Sequence, residues 1–214
     1  MKVHALLLLL VTTGCVEDVA KDKAQATVIE KQPVTDTKVE PSTPPLAGNI
    51  LAVDGTKSTI SALSAKVTAT HPIEFPSFKG SVQYDGDAIT GVSFDIEMSK
   101  LQSDNPRLTK HLLNEDFFDV EKFPSSTFTS SEVKASAAEA PDGSTHTVVG
   151  DMTIRGTTKT IEFPAKITAT ETEFVAESGF AINRQDFGIS YKGRADDLIQ
   201  DNVALTIRLV APRK

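Results

Sequence analysis

Three histidines spread along the chain, His71, His111 and His146, are the side chains best suited to hold a transition metal. None of them belongs to an H-x-H or H-E-x-x-H pattern, and the only cysteine, Cys15, is distant from all three in the sequence. Metal sites of this kind need several ligands at characteristic spacings. The spacing therefore predicts structural histidines and no metal site.

Two further pairs of charged residues have a spacing that could support chemistry. Asp116 and Asp119 could be the paired acids of a glycoside hydrolase, or turn residues whose carboxylates accept backbone N–H groups. Arg184 and Asp186 could bind a phosphate group, or form an ion pair on one strand face. The second interpretation is favoured in both cases.

The sequence also contains no nucleophile elbow, Walker A loop or Rossmann glycine pattern, so we predict no catalytic residue and no enzymatic activity.

The single cysteine follows a short apolar run near the start of the chain. Leu6–Val11 is unbroken hydrophobic sequence, far shorter than the roughly 20 residues that cross a bilayer and typical of a secretory signal peptide. Small residues directly before Cys15 resemble the bacterial lipobox, in which the cysteine thiol is diacylglycerated, although Thr12 stands where a larger aliphatic residue is usual. We predict a lipoprotein signal peptide over residues 1–14 and a lipid anchor on Cys15. The alternative is an ordinary signal peptide with an incidental cysteine.

Composition divides the remaining chain into two parts. Residues 15–48 are rich in Lys, Glu, Asp, Thr and Pro and contain no aromatic residue. Such a segment buries too little apolar surface to offset the entropy lost on ordering. It is therefore predicted to be a disordered linker, with a reach of roughly 30 Å. Residues 49–212 form the predicted folded domain.

Alternation of apolar and polar residues predicts the strands of this domain. The clearest runs are Val92–Met98, Ile161–Ile167, Phe174–Ile182 and Val203–Leu209. Weaker runs are Thr59–Thr70, Gly80–Tyr84, Ser126–Val133 and His146–Arg155. A period of two indicates half-buried antiparallel strands, whereas Asn105-Pro106 followed by Leu108 and Leu112 predicts one short helix. About eight strands predict an all-β barrel or sandwich, and a barrel of this size is either filled or holds one small ligand.

Charge and composition exclude some partners. The formal net charge of −7 provides no basic field for nucleic-acid phosphates, so no nucleic-acid binding is predicted. The same charge disfavours attraction to an anionic membrane surface, so any membrane contact must come from a covalent anchor or an apolar segment. The predicted lipid anchor would place the protein on the periplasmic side of a bacterial cell envelope. Because Val16, and not an aspartate, follows Cys15, the outer membrane is favoured over the inner membrane. A homodimer is left open.

Four separated motifs resemble the YceI-like family. His111–Pro124 (HLLNEDFFDVEKFP) resembles its HL-x-x-x-DFFD-x-x-x-[YF]-P stretch, and Gly150–Lys159 (GDMTIRGTTK) resembles its G-[DN]-L-T-[LI]-x-G-[VT]-T-[KR] stretch. Ile182–Ile189 (INRQDFGI) is similar to [IL]-N-R-x-DFGI, and Ala195–Leu205 resembles the ending of one subgroup. The resemblance implies an eight-stranded antiparallel, lipocalin-like barrel with an apolar tunnel. In some members of the family this tunnel binds polyisoprenoids such as quinones or prenyl phosphates.

The implied partner is therefore an apolar isoprenoid-type lipid, a quinone or prenyl lipid, with no other cofactor. His111 is included among its contacts because the matching family position lies near the barrel mouth. The predicted lipid-binding side chains are Phe94, Ile96, His111, Leu112, Phe117, Phe118, Phe128, Ile154, Phe163, Phe174, Phe180 and Phe187. For each of them, ordinary core packing is the alternative. Two other functions stay open, an enzyme acting on a lipid-like molecule and an envelope-stress interaction domain with a filled core.

Overall fold

Antiparallel strands form most of the part of the chain that the structure describes, as the alternating sequence predicts. The computed structural model describes residues 16–29, 49–136, 140 and 142–213. The predicted signal peptide and Cys15 lie outside these residues. In chain order, the strands are β1 (Ala24–Gln25), β2 (Thr27–Ile29), β3 (Asn49–Ala52), β4 (Thr59–Lys66), β5 (Ala69–Glu74), β6 (Phe78–Asp85), β7 (Ala88–Glu97), β8 (Gln102–Ser103), β9 (Ser125–Ala135), β10 (His146–Ile154), β11 (Thr157–Ala169), β12 (Glu173–Asn183), β13 (Gly193–Arg194), β14 (Asp197–Leu198) and β15 (Asn202–Pro212). The helices are α1 (Pro106–Leu112) and two 3-10 turns, Met98–Lys100 and Arg184–Phe187.

One curled sheet surrounds the core. Its strand order is β3-β6-β7-β9-β10-β11-β12-β15-β4-β5-β8, and neighbouring strands along this path are antiparallel. Its outermost strands, β3 and β8, do not pair with each other among the described residues, so the sheet is a half-barrel. The predicted all-β, antiparallel fold with one short helix is confirmed.

The structure has fifteen strands among its described residues, whereas the sequence predicts about eight. One additional strand arises because the predicted run Thr59–Thr70 covers β4 and the first two residues of β5. These two strands pair as a hairpin from Ser61↔Glu74 to Lys66↔Ala69. Val67 and Thr68 form the turn between them. Neither residue is a Gly, Pro, Asn or Asp, the residues by which such turns are recognised. The alternating pattern therefore continues through the turn and conceals it.

The N-terminal segment differs from the predicted linker over residues 16–29. Strand β1 pairs in parallel with β12, and β2 pairs antiparallel with β11. Strands β11 and β12 pair directly only between Lys166–Ala169 and Phe174–Glu177. Where they diverge, the N-terminal segment lies between them and the Ala26 amide donates to the Ala181 carbonyl at 2.8 Å.

The physical reason for this docking is backbone hydrogen bonding. Two diverging strands leave unpaired N–H and C=O groups, which are costly to bury without partners. The β-branched sequence Thr27–Ile29 has the propensity to fill such a gap, and Ala26 is buried there. The remainder of the predicted linker, residues 30–48, lies outside the described part of the chain.

Helix α1 begins where the sequence predicts. The Asn105 side chain accepts hydrogen bonds from the amides of Arg107 (2.9 Å) and Leu108 (3.4 Å), and Pro106 occupies the first turn. Asparagine at the N-cap followed by proline is a favourable helix start. The helix buries Leu112 and packs Leu108 against the core, so it covers one end of the half-barrel.

Candidate functional site

The half-barrel encloses a cavity of about 690 Å³. Its wall consists mainly of inward side chains of β4, β5, β7, β10, β12 and β15, and α1 together with part of the segment 184–199 covers it. Along β15, for example, Val203, Leu205 and Ile207 line the cavity at alternate positions, as expected for one face of a strand. The volume is within the range of small-molecule sites in proteins, about 300–1,000 Å³.

Eight of the twelve side chains predicted to bind lipid line this cavity: Phe94, Ile96, His111, Leu112, Phe117, Phe118, Ile154 and Phe187. The other four lie deeper in the sheet. Phe128 and Phe163 border a separate small recess of about 30 Å³. Phe174 and Phe180 line neither space and are fully buried. Lipid contact by any of the twelve stays a prediction.

An aromatic stack forms the floor of the cavity. Phe94 stacks on Phe128 with ring centroids 5.4 Å apart, and Phe128 contacts Phe163 at 5.4 Å. Phe163 stacks on Phe180 at 4.2 Å. Because only Phe94 of these four faces the cavity, the stack separates the cavity from the packed part of the core.

A second aromatic cluster lies at the covered end. The His111 ring makes edge contacts with Phe117 at 5.0 Å and with Tyr191 at 5.2 Å. Its Nε2 atom lies 2.8 Å from a carboxylate oxygen of Asp116. Sequence reasoning missed Tyr191, which follows the recognised Ile182–Ile189 motif by two residues and is one of only two tyrosines in the chain.

Asp116 and Asp119 have partners other than the predicted backbone amides. Asp116 pairs with His111, and Asp119 accepts a hydrogen bond from the Lys122 ammonium group at 2.9 Å. That hydrogen bond, together with the charge of Asp119, raises the pKa of Lys122. Neither carboxylate lines the cavity, so the pair is not placed to act on a molecule bound there.

The predicted ion pair between Arg184 and Asp186 is wrong. Asn183 caps a 3-10 turn over Arg184–Phe187, so the two side chains do not share a strand face. Instead, the Arg184 guanidinium donates to a carboxylate oxygen of Asp201 at 2.9 Å. Gly188 ends the turn with φ of 74°, a conformation that glycine adopts without strain.

Arg184 holds the segment that covers the cavity. The side chain is 5% exposed and lines the cavity wall. Its guanidinium also donates to the carbonyl of Ile189 (2.6 Å), within the segment 184–199, and to that of Gln200 (3.0 Å), directly after it. Burial lowers the pKa of Arg184, an effect that the nearby Asp201 carboxylate opposes.

The polar rim of the cavity is held by hydrogen bonds between elements. The Lys66 ammonium pairs with the Asp197 carboxylate, which also accepts from the hydroxyl of Thr68 at 2.9 Å. His71 lies with Nδ1 3.1 Å from Asp104. In the part of the chain that the structure describes, no group of three or more His, Cys, Asp or Glu residues could hold a metal ion.

Among the described residues of the wall, one buried side-chain oxygen lacks a hydrogen-bond partner. The hydroxyl oxygen of Ser126, a residue that is 7% exposed and lines the cavity, makes no hydrogen bond to any described residue. Serine at this position was not among the predicted contacts, because a lone serine gives no sequence signal of its own.

Among the described helices, none is long and apolar enough to cross a membrane.

Comparisons with known proteins agree with this architecture. The family model of the YceI-like domain matches residues 51–211. A UPF0312 protein of Pseudomonas putida F1 is 27% identical over 139 residues, which cover 61% of this chain and 70% of the relative. A UPF0312 protein of Yersinia enterocolitica is 36% identical over 96 residues, which cover 44% of this chain and 47% of the relative.

Two solved structures share the fold. BcnA of Burkholderia cenocepacia superposes with a TM-score of 0.66 and 22% identity, covering 74% of this chain and 99% of that protein. A polyisoprenoid binding domain of Saccharophagus degradans superposes with a TM-score of 0.60 and 15% identity, covering 76% of this chain and 98% of that domain. At these identities the similarity is one of fold.

Proposed function

Because this chain belongs to the YceI-like domain family, we propose that it is a cell-envelope lipoprotein that binds an isoprenoid-type lipid in its cavity. The ligand is a quinone or prenyl lipid, and the role is its storage, transport or sensing. The polyisoprenoid binding domain that shares the fold supports this ligand class.

The observation that carries the proposal is the apolar cavity of about 690 Å³. If a methylene group occupies about the volume of a water molecule, about 30 Å³, the cavity has room for roughly 20 carbon atoms of a prenyl chain. Each buried methylene contributes about 0.8 kcal/mol of gross driving force, from which the ordering of ligand and protein subtracts. An open cavity also argues against an interaction domain with a filled core.

A binding role is favoured over catalysis. Most charged groups that line the cavity are already paired within the protein, as with Arg184 and Asp201 or Lys66 and Asp197. The paired carboxylates Asp116 and Asp119 lie outside the wall. A catalytic site would need titratable groups that converge on the bound molecule.

The docked N-terminal segment supports an anchor close to the cavity. The Val16 amide donates to the Val67 carbonyl at 3.3 Å, and the Val67 amide donates to the Leu198 carbonyl at 3.1 Å. Lys66, the residue before Val67, and Asp197, the residue before Leu198, both line the cavity. An acyl group on Cys15, the residue before Val16, would therefore hold the cavity rim near the membrane, on the periplasmic side and preferably at the outer membrane.

Ligand binding is tested by narrowing the cavity. Ala62 lines the wall, so Ala62→Phe should occupy space that a lipid needs and weaken saturable, one-to-one binding of a long-chain prenyl quinone. Ala135→Phe, at an exposed position on β9, is the matched control and should bind like the unmodified protein. Native mass spectrometry after gentle purification should detect a bound lipid. Failure of the unmodified, folded protein to bind prenyl lipids of several lengths and head groups would contradict the proposal.

The anchor is tested separately. In a host with lipoprotein processing, the full chain should fractionate with membranes and incorporate labelled palmitate, and Cys15→Ser should lose both properties. Label on the Cys15→Ser protein, or no label on the unmodified protein, would exclude the lipoprotein form while leaving lipid binding in the cavity possible.

A further inference from the structure

The unpartnered hydroxyl of Ser126 distinguishes one point of the cavity wall from its apolar surroundings. Burying a hydroxyl without a hydrogen bond is unfavourable, and native proteins contain few such groups. Ser126 is 7% exposed, and its oxygen has no partner among the described residues. A polar atom of a bound molecule would satisfy it.

The strand register directs this side chain into the cavity. Ser126 and Phe128 occupy alternate positions on β9, so they lie on the same face. Phe128 pairs with Phe94 of β7, and Ser126 pairs with Ile96 of β7. Both Phe94 and Ile96 line the cavity.

Ser130 provides an internal comparison on the same face of β9. It is also buried, at 4% exposure, but its oxygen accepts a hydrogen bond from the Val92 amide at 2.8 Å. Ser130 does not line the cavity. The two hydroxyls therefore differ: that of Ser130 completes the sheet, whereas that of Ser126 has no partner among the described residues and belongs to a residue that lines the cavity.

We propose that the Ser126 hydroxyl forms a hydrogen bond with an oxygen atom of the bound lipid and makes the cavity selective for oxygen-bearing isoprenoids over isoprenoid hydrocarbons. This inference rests on the proposed lipid-binding function. A quinone carbonyl can only accept from the serine, whereas a prenyl alcohol can donate or accept. Either ligand satisfies the hydroxyl, and a hydrocarbon does not.

The experiment compares three lipids of matched length, roughly 20 carbons: a prenyl quinone, a prenyl alcohol and an isoprenoid hydrocarbon. Affinity is measured for the full chain, Ser126→Ala and Ser130→Ala. A neutral hydrogen bond contributes a factor of about two to ten in affinity. Ser126→Ala should therefore weaken binding of the oxygen-bearing lipids by about that factor and leave hydrocarbon binding unchanged or stronger. A loss for the quinone alone identifies a carbonyl as the partner, whereas a loss for the alcohol alone identifies a hydroxyl.

Stability provides a second readout. Ser126→Ala removes an unsatisfied group, so the midpoint of denaturation without ligand should stay the same or rise. Ser130→Ala leaves the Val92 amide without its acceptor, so its midpoint should fall while lipid selectivity persists. Equal changes for all three lipids in Ser126→Ala, or a fall in its midpoint like that of Ser130→Ala, would overturn the inference alone. Absence of binding to all three lipids by the unmodified protein would overturn the proposed function and this inference with it.

Discussion

The phenylalanines inside the sheet have two physical roles that depend on their depth. Phe118 lines the cavity and is only partly buried, whereas Phe180 is fully buried and stacks on Phe163 at 4.2 Å. Stacked rings in a close-packed core lose contacts on every side when one is removed. A ring that faces an open space has fewer contacts to lose, but it contributes apolar area to a ligand.

Two phenylalanine truncations should therefore have different consequences. Phe180→Ala should lower the free energy of unfolding by about 3–5 kcal/mol, whereas Phe118→Ala should lower it by clearly less and weaken lipid binding. Denaturant unfolding without ligand and binding of a prenyl quinone measure the two effects. Similar losses of stability in the two variants would contradict this division of roles.

His146 should make stability depend on pH. Burial lowers the pKa of its imidazole below the ordinary value, so the unfolded chain binds a proton more readily than the folded protein. The contribution of neutral His146 to the free energy of unfolding is complete above about pH 6.5, the pKa expected for histidine in the unfolded chain. It is lost as the pH falls through the lower folded-state value.

The measurement is the free energy of unfolding between neutral and mildly acidic pH. His146→Asn should show a shallower decline than the unmodified protein below about pH 6.5. Parallel curves for the two proteins would show that His146 does not contribute to the acid sensitivity.

At the scale of elements, two segments complete the half-barrel without belonging to its long strands. The N-terminal segment fills the gap between β11 and β12 through β1 and β2. The segment after β12 covers the cavity and is held by the buried Arg184 guanidinium. Both depend on backbone groups that would otherwise be unpaired, so both should exchange their amide hydrogens slowly where they dock.

Hydrogen exchange tests the docking of the N-terminal segment. The Ala26 amide, which donates to Ala181 at 2.8 Å, should exchange much more slowly than the exposed amide of Asp22. Val28→Asp should remove this protection, because Val28 packs against the core and a buried unpaired carboxylate is unfavourable. The matched change Thr27→Asp, at an exposed position of the same strand, should retain it. Rapid exchange at Ala26 in the unmodified protein would restore the prediction of a linker.

At the scale of the whole molecule, an aromatic stack borders the cavity on one side. The Phe94–Phe180 stack forms its floor. Beyond the floor, Phe174 packs on Tyr84 with ring centroids 5.1 Å apart, and the Arg213 guanidinium lies over Phe174 at 4.6 Å. We therefore expect the tail of a ligand bound in the cavity to extend no further than this stack.

The limited volume of the cavity and the bordering stack predict a limit to the useful length of the ligand. Affinity should increase with each added prenyl unit, because buried apolar area increases, until the tail reaches roughly 20 carbons. Longer tails should add little affinity, since their additional carbons would lie outside the cavity in contact with solvent. Isothermal titration of prenyl alcohols of increasing length tests this, and affinity that rises without a plateau would indicate a tunnel open at both ends.

Much of the fold was predictable from local patterns. Alternation placed the strands because the side-chain period of a strand is two residues and one face of each is buried. The pair Asn105-Pro106 predicted the start of α1, since capping is a local property of the chain. The motifs indicated the family, and the candidate lipid contacts came from the apolar faces of the strands and from the motif residues around α1 and after β12.

Only the tertiary structure decided the depth of each side chain and its partners. Alternation assigns Phe94 and Phe180 alike to the inside, but their distance from the cavity depends on how the sheet curls. Arg184 pairs with Asp201 and not with Asp186 because the chain turns after β12. The gap between β11 and β12 is filled by the N-terminal segment, which is distant in the sequence. The hydroxyl of Ser126 lacks a partner among the described residues, whereas that of Ser130 accepts a hydrogen bond. Each of these outcomes depends on contacts between residues far apart in sequence, which no local pattern records.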